Sequence, residues 1–415
     1  MNRVSARRAL EALRSGVPSR EAVAALGTGQ GVIEDTFLGL LGRVGLPPVN
    51  RASADASRGL LLGADFGAGK SHLLEHLAAL AEGERMVVSR VVISKETPLH
   101  DPGKVFRAAV DTAAVAEEFA DVVNEAAMGM DPGGAGYLEL LRWTTGADLD
   151  ERFAATVALL PQMIDADGEF AEAIVRFWAG DPLSVVEVRR RLRAAGEARR
   201  TLRTAPAREL ARQRFRFLGR VFAAAGYAGW VLLFDEVELI GRYSLLQRGR
   251  AYAEIAQWLR PDPDDPGSPL VPVLAMTSDF AAAVLTMKND RELVPVKMRA
   301  KQRPEWDELA GAAEAGVRLI ERQMHLLEPP DDAELDAAYA RLKALHGEAF
   351  GWGPPDVGGL ERLGATRMRQ YVRAWINEWD LVRLYPEYEP DLEVLGVATD
   401  YREDPDLDSG EAADG

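Results

Sequence analysis

The stretch GADFGAGKSHLL, residues 63–74, constrains this chain more than any other. The apolar run Gly59-Leu60-Leu61-Leu62 precedes it and predicts a buried parallel strand. Leu73, Leu74, Leu77 and Leu80 follow at helical spacing. Strand, glycine loop and helix in that order form the setting of a phosphate-binding loop. There, backbone N–H groups converge on the phosphates and the helix N-terminus adds its partial positive charge. This reading wraps Ala64, Asp65, Phe66, Gly67, Ala68, Gly69, Lys70, Ser71 and His72 around ATP. Lys70 reaches the β/γ-phosphates and takes a catalytic role, and Ser71 offers its hydroxyl to Mg²⁺. Gly67 and Gly69 permit close backbone approach and positive φ. Ala64 stands where the usual pattern has its first glycine. That position opens the loop without touching phosphate, so the smallest residue with a Cβ departs only mildly. A tight strand-to-helix turn with no ligand is the alternative.

The chain of 415 residues predicts two or three domains, and 47% hydrophobic residues suffice for their cores. There is no cysteine, which excludes a disulfide framework and cysteine metal sites and fits a reducing cytoplasm. Met1–Arg14 carries four arginines and no long apolar core, so no secretory signal is expected. No run of 18 apolar residues predicts a membrane span. The net charge of −16 is unevenly spread: residues 387–415 hold eleven acidic residues and one arginine, whereas residues 189–220 hold twelve arginines and two glutamates.

Residues 1–45 read as an N-terminal helical segment, with helices over Ala6–Ser15, Arg20–Leu26 and Val32–Val44. Residues 46–103 form the first part of an α/β core, with a second strand over Met86–Ser94. The next clear strand is Trp230–Phe234, so residues 104–214 read as a large helical insertion, longer than any simple crossover needs. Residues 215–310 complete the parallel sheet, with a helix over Gln247–Leu259 and a strand over Leu270–Met276. Residues 311–385 read as a C-terminal helical or winged-helix domain, and 386–415 as an acidic, at least partly disordered tail.

VLLFDEVE, residues 231–238, is the second strong signal. An apolar strand ends in Asp235-Glu236. Asp235 at this strand end suits a water-bridged Mg²⁺, and Glu236 suits the base that deprotonates the attacking water. Plain surface acids are the alternative. VLAMTSDF, residues 273–280, ends the fourth strand in Thr277-Ser278. Thr277 is a candidate catalytic polar contact to the γ-phosphate and the attacking water; a helix cap by Ser278 or Asp279 is the competing account. Arg299, in the basic stretch 291–303, is either an arginine finger for a neighbouring copy or part of a solvated loop. In the arginine run, Arg208, Arg212, Arg216 and Arg220 fall on one helix face. That face suits DNA phosphates, an acidic partner, the acidic tail or solvent. Were it to contact no DNA, Arg367, Arg369 and Arg373 are the next candidates. His72 and His76 lack the zinc-protease glutamate and read as helix surface or packing.

Beyond these motifs, VVISKETPLHDPGKVFRAAV (91–110), LLFDEVELIGRYSLLQRGRAYAEI (232–255), ATRMRQYVRAWINEWDL (365–381) and RRALEALRSGVPSREAVAALGTGQ (7–30) resemble the ATP-binding proteins of BREX phage-defence systems. They are similar to the smaller, D component of the type 2, Pgl-related systems. The resemblance spans most of residues 7–381 and implies an AAA+-like ATPase. It also implies work beside a helicase, a DNA methyltransferase and a phosphatase-domain protein. It supports Gly69, Lys70, Ser71, Asp235 and Glu236, and it does not bear on Arg299. Three functions compete: an ATPase coupling nucleotide state to DNA or partner engagement, a non-catalytic ATP-dependent switch, and an interaction scaffold without DNA. Self-association is compatible with the first.

Overall fold

The computed structural model describes residues 2–46, 57–115, 121–197, 202–262, 265–357, 368–385 and 387–388. The acidic tail beyond residue 388 and Arg367 lie outside these residues. Strands β1 (Leu60–Ala64), β2 (Val87–Val92), β3 (Trp230–Asp235), β4 (Leu270–Thr277) and β5 (Met324–Leu326) form one parallel sheet in the order β2-β3-β4-β1-β5. The expected strands are present. β5 was not anticipated: it is three residues long, lies against Pro329-Pro330 in sequence, and pairs with β1 alone.

The sheet is covered on both faces, which is why its strands read as continuous apolar runs. Alternate residues go to opposite cores. Leu61, Val87, Val91, Trp230, Leu232, Phe234 and Leu274 face the larger core. Leu60, Leu62, Val88, Val231, Leu233 and Val273 face the smaller one, against α3 (Gly31–Leu41) and α4 (Lys70–Gly83). Trp230, fully buried, donates its indole N–H to Ser89 Oγ at 2.8 Å, and the Ser89 hydroxyl donates in turn to the Ala109 carbonyl at 2.6 Å. Left unpaired, that N–H would cost about 1–3 kcal/mol.

The described residues between β2 and β3 are mainly helical, from α5 (Pro102–Asp111) to α11 (Ala207–Ala224), and these helices supply most of the larger core. α11 runs continuously across residue 214 and returns the chain to the sheet. Its arginine face is not open. Arg208 and Arg212 both donate to Glu254 on α12 (Leu245–Leu259), at 2.7 and 2.6 Å, and Glu254 is buried. Arg216 pairs with Asp262 at 3.5 Å, and Arg220 with the buried Asp265. Arg214 donates to the Asp181 carbonyl at 2.8 Å and lies over the Phe177 ring. Of the partners the spacing left open for Arg208, Arg212, Arg216 and Arg220, the structure supplies carboxylates of the same chain. The i, i+4 spacing did align the arginines, but on the face that packs against a helix and loop carrying carboxylates.

The stretch expected as a basic loop is a helix, α13 (Asp290–Arg299). Buried Asp290 holds it to α12 through Arg248 Nε at 2.6 Å and the Tyr252 hydroxyl at 2.6 Å. α14 (Pro304–Arg322) crosses α12 so closely that a Cβ on Gly316 would fall 1.9 Å from the Tyr252 carbonyl oxygen.

The N-terminal helices meet the last described helices. α1 (Arg3–Ser15) and α2 (Arg20–Leu26) share a core with α15 (Asp332–Phe350) and α16 (Met368–Leu384), built on Leu10, Leu13, Leu342, Tyr371, Trp375 and Trp379. Trp352 donates to His346 Nδ1 at 2.9 Å. The buried imidazole therefore carries its proton on Nε2, facing Asp380 at 3.3 Å. Asp380 also pairs with Arg14 of α1. Among the described residues of 311–385, β5 is the one strand, and it belongs to the main sheet rather than to a wing. No described helix is long and apolar enough to cross a membrane.

Candidate nucleotide-binding site

The glycine loop leaves the carboxyl end of β1, the edge where open parallel sheets bind ligands. Gly67 and Gly69 have φ of +82° and +106°, a region that a Cβ disfavours. Ala64 is still in the strand, opposite Thr277 of β4, and its carbonyl accepts from Lys70 Nζ and from the Ser278 N–H, each at 3.2 Å. Ser278 also gives its hydroxyl to Asp65, so the loop entrance is tied to the end of β4. Its side chain is spent there rather than on a helix cap. Thr277 is buried at the same strand end.

α4 starts at Lys70, so the loop N–H groups and the first turn of the helix face one cleft. Ser71 Oγ donates to Asp235 Oδ2 at 2.6 Å, joining residues 164 apart in sequence across the intervening β4. Asp235 Oδ1 accepts the Glu236 backbone N–H at 2.8 Å. Glu236 has φ of +56°, a left-handed conformation uncommon for a side chain of this kind and costing on the order of 1 kcal/mol. It lies exposed at the mouth. Desolvation and the adjacent Asp235 charge push its carboxyl above the usual range, against the pull of Lys70.

Sequence reasoning missed Glu238. Its Oε1 is 3.6 Å from Lys70 Nζ. Burial pushes its carboxyl up, Lys70 pulls it down, and Asp235 and Glu236 push it up again. The available signal was a third acid close behind the strand end in DEVE: Glu238 lies three residues after Asp235, in the 3₁₀ turn Val237–Arg242.

A cleft of about 280 Å³ opens here. Its walls are the loop, the segment Gly16–Gln30 beside α1 and α2, and α15 and α16 with Arg341 and Arg369. Arg369 reaches the loop, its backbone N–H donating to the Gly67 carbonyl at 3.3 Å and its guanidinium standing over the Phe66 ring. In the sequence it reads only as a fallback candidate for DNA, should the arginine run contact none. Arg373 donates to the Arg14 carbonyl at 2.7 Å. His72 lines the cleft, but its Nε2 meets the Gly27 carbonyl at 2.9 Å, and His76 pairs with Glu34 at 3.3 Å. Among the described residues no cluster of His, Asp and Glu is assembled to hold a metal by itself. Arg299 pairs with Glu314 of its own chain at 2.8 Å.

No curated protein and no solved structure matches this chain. Residues 2–122, which include the glycine loop and β2, match a family described as "BREX system ATP-binding protein BrxC/D". The resemblance read from the motifs is borne out at that level and over those residues, where the chain is similar to the BREX ATP-binding proteins.

Proposed function

We propose that this chain binds and hydrolyses Mg·ATP, and that its nucleotide state sets how it engages other BREX components or DNA. The D component of a type 2 system, working in the cytoplasm beside a helicase, a methyltransferase and a phosphatase-domain protein, is the matching role. The observation that carries this reading is the 2.6 Å Ser71–Asp235 hydrogen bond. It brings a hydroxyl and a carboxylate, the donor pair that Mg²⁺ takes in phosphate-loop ATPases, together beside Lys70. The parallel sheet, with β4 between the loop strand and the Asp235 strand, supports the AAA+-like core that the resemblance implies.

On this reading Ser71 and Asp235 hold Mg²⁺, which when bound neutralises charge on the β/γ-phosphate oxygens. Lys70 grips those oxygens, and Arg341 and Arg369 supply further positive charge from the opposite wall. Thr277 orients the attacking water, and Glu236 takes its proton as the bond to the γ-phosphorus forms and the β–γ bridge breaks. A carboxyl pushed upward is a better base at neutral pH than an ordinary one. The arginines of α11, being paired internally, are not the DNA contact in this account.

Lys70→Ala should abolish Mg·ATP binding in calorimetry, and Glu236→Gln should bind ATP yet fail to turn it over. Unchanged affinity in the first refutes the site. A Glu236→Gln protein that hydrolyses at the parent rate removes Glu236 as the base. A parent that binds ATP and releases no phosphate, with or without DNA and partners, identifies a non-catalytic switch.

A further inference from the structure

Lys70 is nearly enclosed, at 8% exposure, and its ammonium already has an anion: Glu238 Oε1 at 3.6 Å. Glu238 lines the same cleft as Gly67, Gly69 and Ser71. The fully buried Val237 and Ile240 anchor its turn, so the carboxylate cannot be withdrawn by a backbone swing without exposing both. Its second oxygen, Oε2, is buried without a hydrogen-bond partner. Beyond Lys70 the carboxylate has only its own backbone N–H, and a half-satisfied buried acid is costly. An arriving triphosphate brings more negative charge to the same ammonium.

We propose that Glu238 is a built-in competitor for Lys70: it holds the ammonium while the site is empty, and the nucleotide phosphates must take that cation from it. The inference rests on the reading of Lys70 as the phosphate-gripping residue. ATP binding is then an exchange of one anion for another, and Glu238 lowers affinity below what the loop alone would give. The negative charge of Asp235 and Glu236 adds to the same repulsion, which makes Lys70 the cation over which both anions contend.

The test is titration of Mg·AMP-PNP, which resists hydrolysis, into the full-length parent and into the Glu238→Gln, Glu238→Asp and Lys70→Ala proteins. Glu238→Gln keeps the shape and removes the charge, and should bind about tenfold more tightly, as expected for relief of one like charge within several ångströms in a partly solvated site. Glu238→Asp keeps the charge but shortens its reach by one methylene and should fall between the two. A residue that merely supported the loop would weaken binding in both variants. If Glu238→Gln does not fold, a Glu238→Asp affinity at or below the parent's overturns the proposal by itself. Failure of the two levels is separable. Parental affinity in Lys70→Ala sinks the nucleotide site as a whole. Lost binding there, with Glu238→Gln no tighter than the parent, sinks only the competitor.

Discussion

Arg220→Met tests whether the arginines of α11 serve the fold or an external phosphate. The substitution keeps most of the aliphatic bulk and removes the guanidinium. Asp265, whose side chain is fully buried, loses the donors Nε at 3.2 Å and Nη2. The Trp143 ring loses a cation 4.8 Å from its centre. Removing one partner of a fully buried ion pair costs about 3–5 kcal/mol. Arg220 is 18% exposed, and the positive charge of Arg58 also acts on Asp265, so about 2–3 kcal/mol is the working figure. For a cooperative unit of roughly 150–250 residues that lowers Tm by roughly 4–12 °C. Arg220→Met with Asp265→Leu removes both charges and should recover most of the loss, because two apolar side chains need no pairing. The assay is urea and thermal unfolding of parent, single and double variants, followed by duplex DNA titration against salt on the folded proteins. A single variant within about 0.5 kcal/mol of the parent, or a double no better than the single, refutes the internal role. So does a folded Arg220→Met protein whose log-affinity against log-salt slope for DNA falls by about one unit, the signature of a lost phosphate contact.

Gly316→Ala should destabilise by about 3 kcal/mol or more, since the new methyl meets backbone, not a movable side chain, at 1.9 Å; a soluble protein with the parent's melting curve would show that α12 and α14 can separate freely. Asp380 is pushed up by burial, but His346, Arg14 and Arg383 outweigh this and hold it below the ordinary carboxylate range. A depressed folded-state pKa contributes stability above the unfolded value of about 3.9 and loses it as pH falls through the folded one. Asp380→Asn should therefore cost about 1–2 kcal/mol at neutral pH, with the gap to the parent closing below about pH 4. Urea midpoints at pH 7 and pH 3 measure it, and an equal gap at both would count against the ion cluster.

Local chemistry was legible in the sequence because it is written in short, contiguous patterns. The glycine loop, the strand ending in Asp235-Glu236, the strand ending in Thr277 and the terminal helices are each set by periodicity, caps and breakers within a few residues. Their meeting was only partly legible. Asp235 could be expected near Ser71 because an order of motifs implied it, and the hydrogen bond across β4 realises that expectation. Tertiary structure decided the rest. Nothing local says that α1 would share a core with α15 and α16, or that Arg369 would return to the loop at Gly67. The arginine face of α11 is the clearest case: spacing aligned the charges, but solvent, DNA and an internal carboxylate are indistinguishable partners to a helix read alone. Long-range packing brought Glu254, Asp262 and Asp265 to that face, and the same packing put Glu238 against Lys70. Charge complementarity acts through space, and the chain's order along its length does not record which distant groups will be close enough to use it.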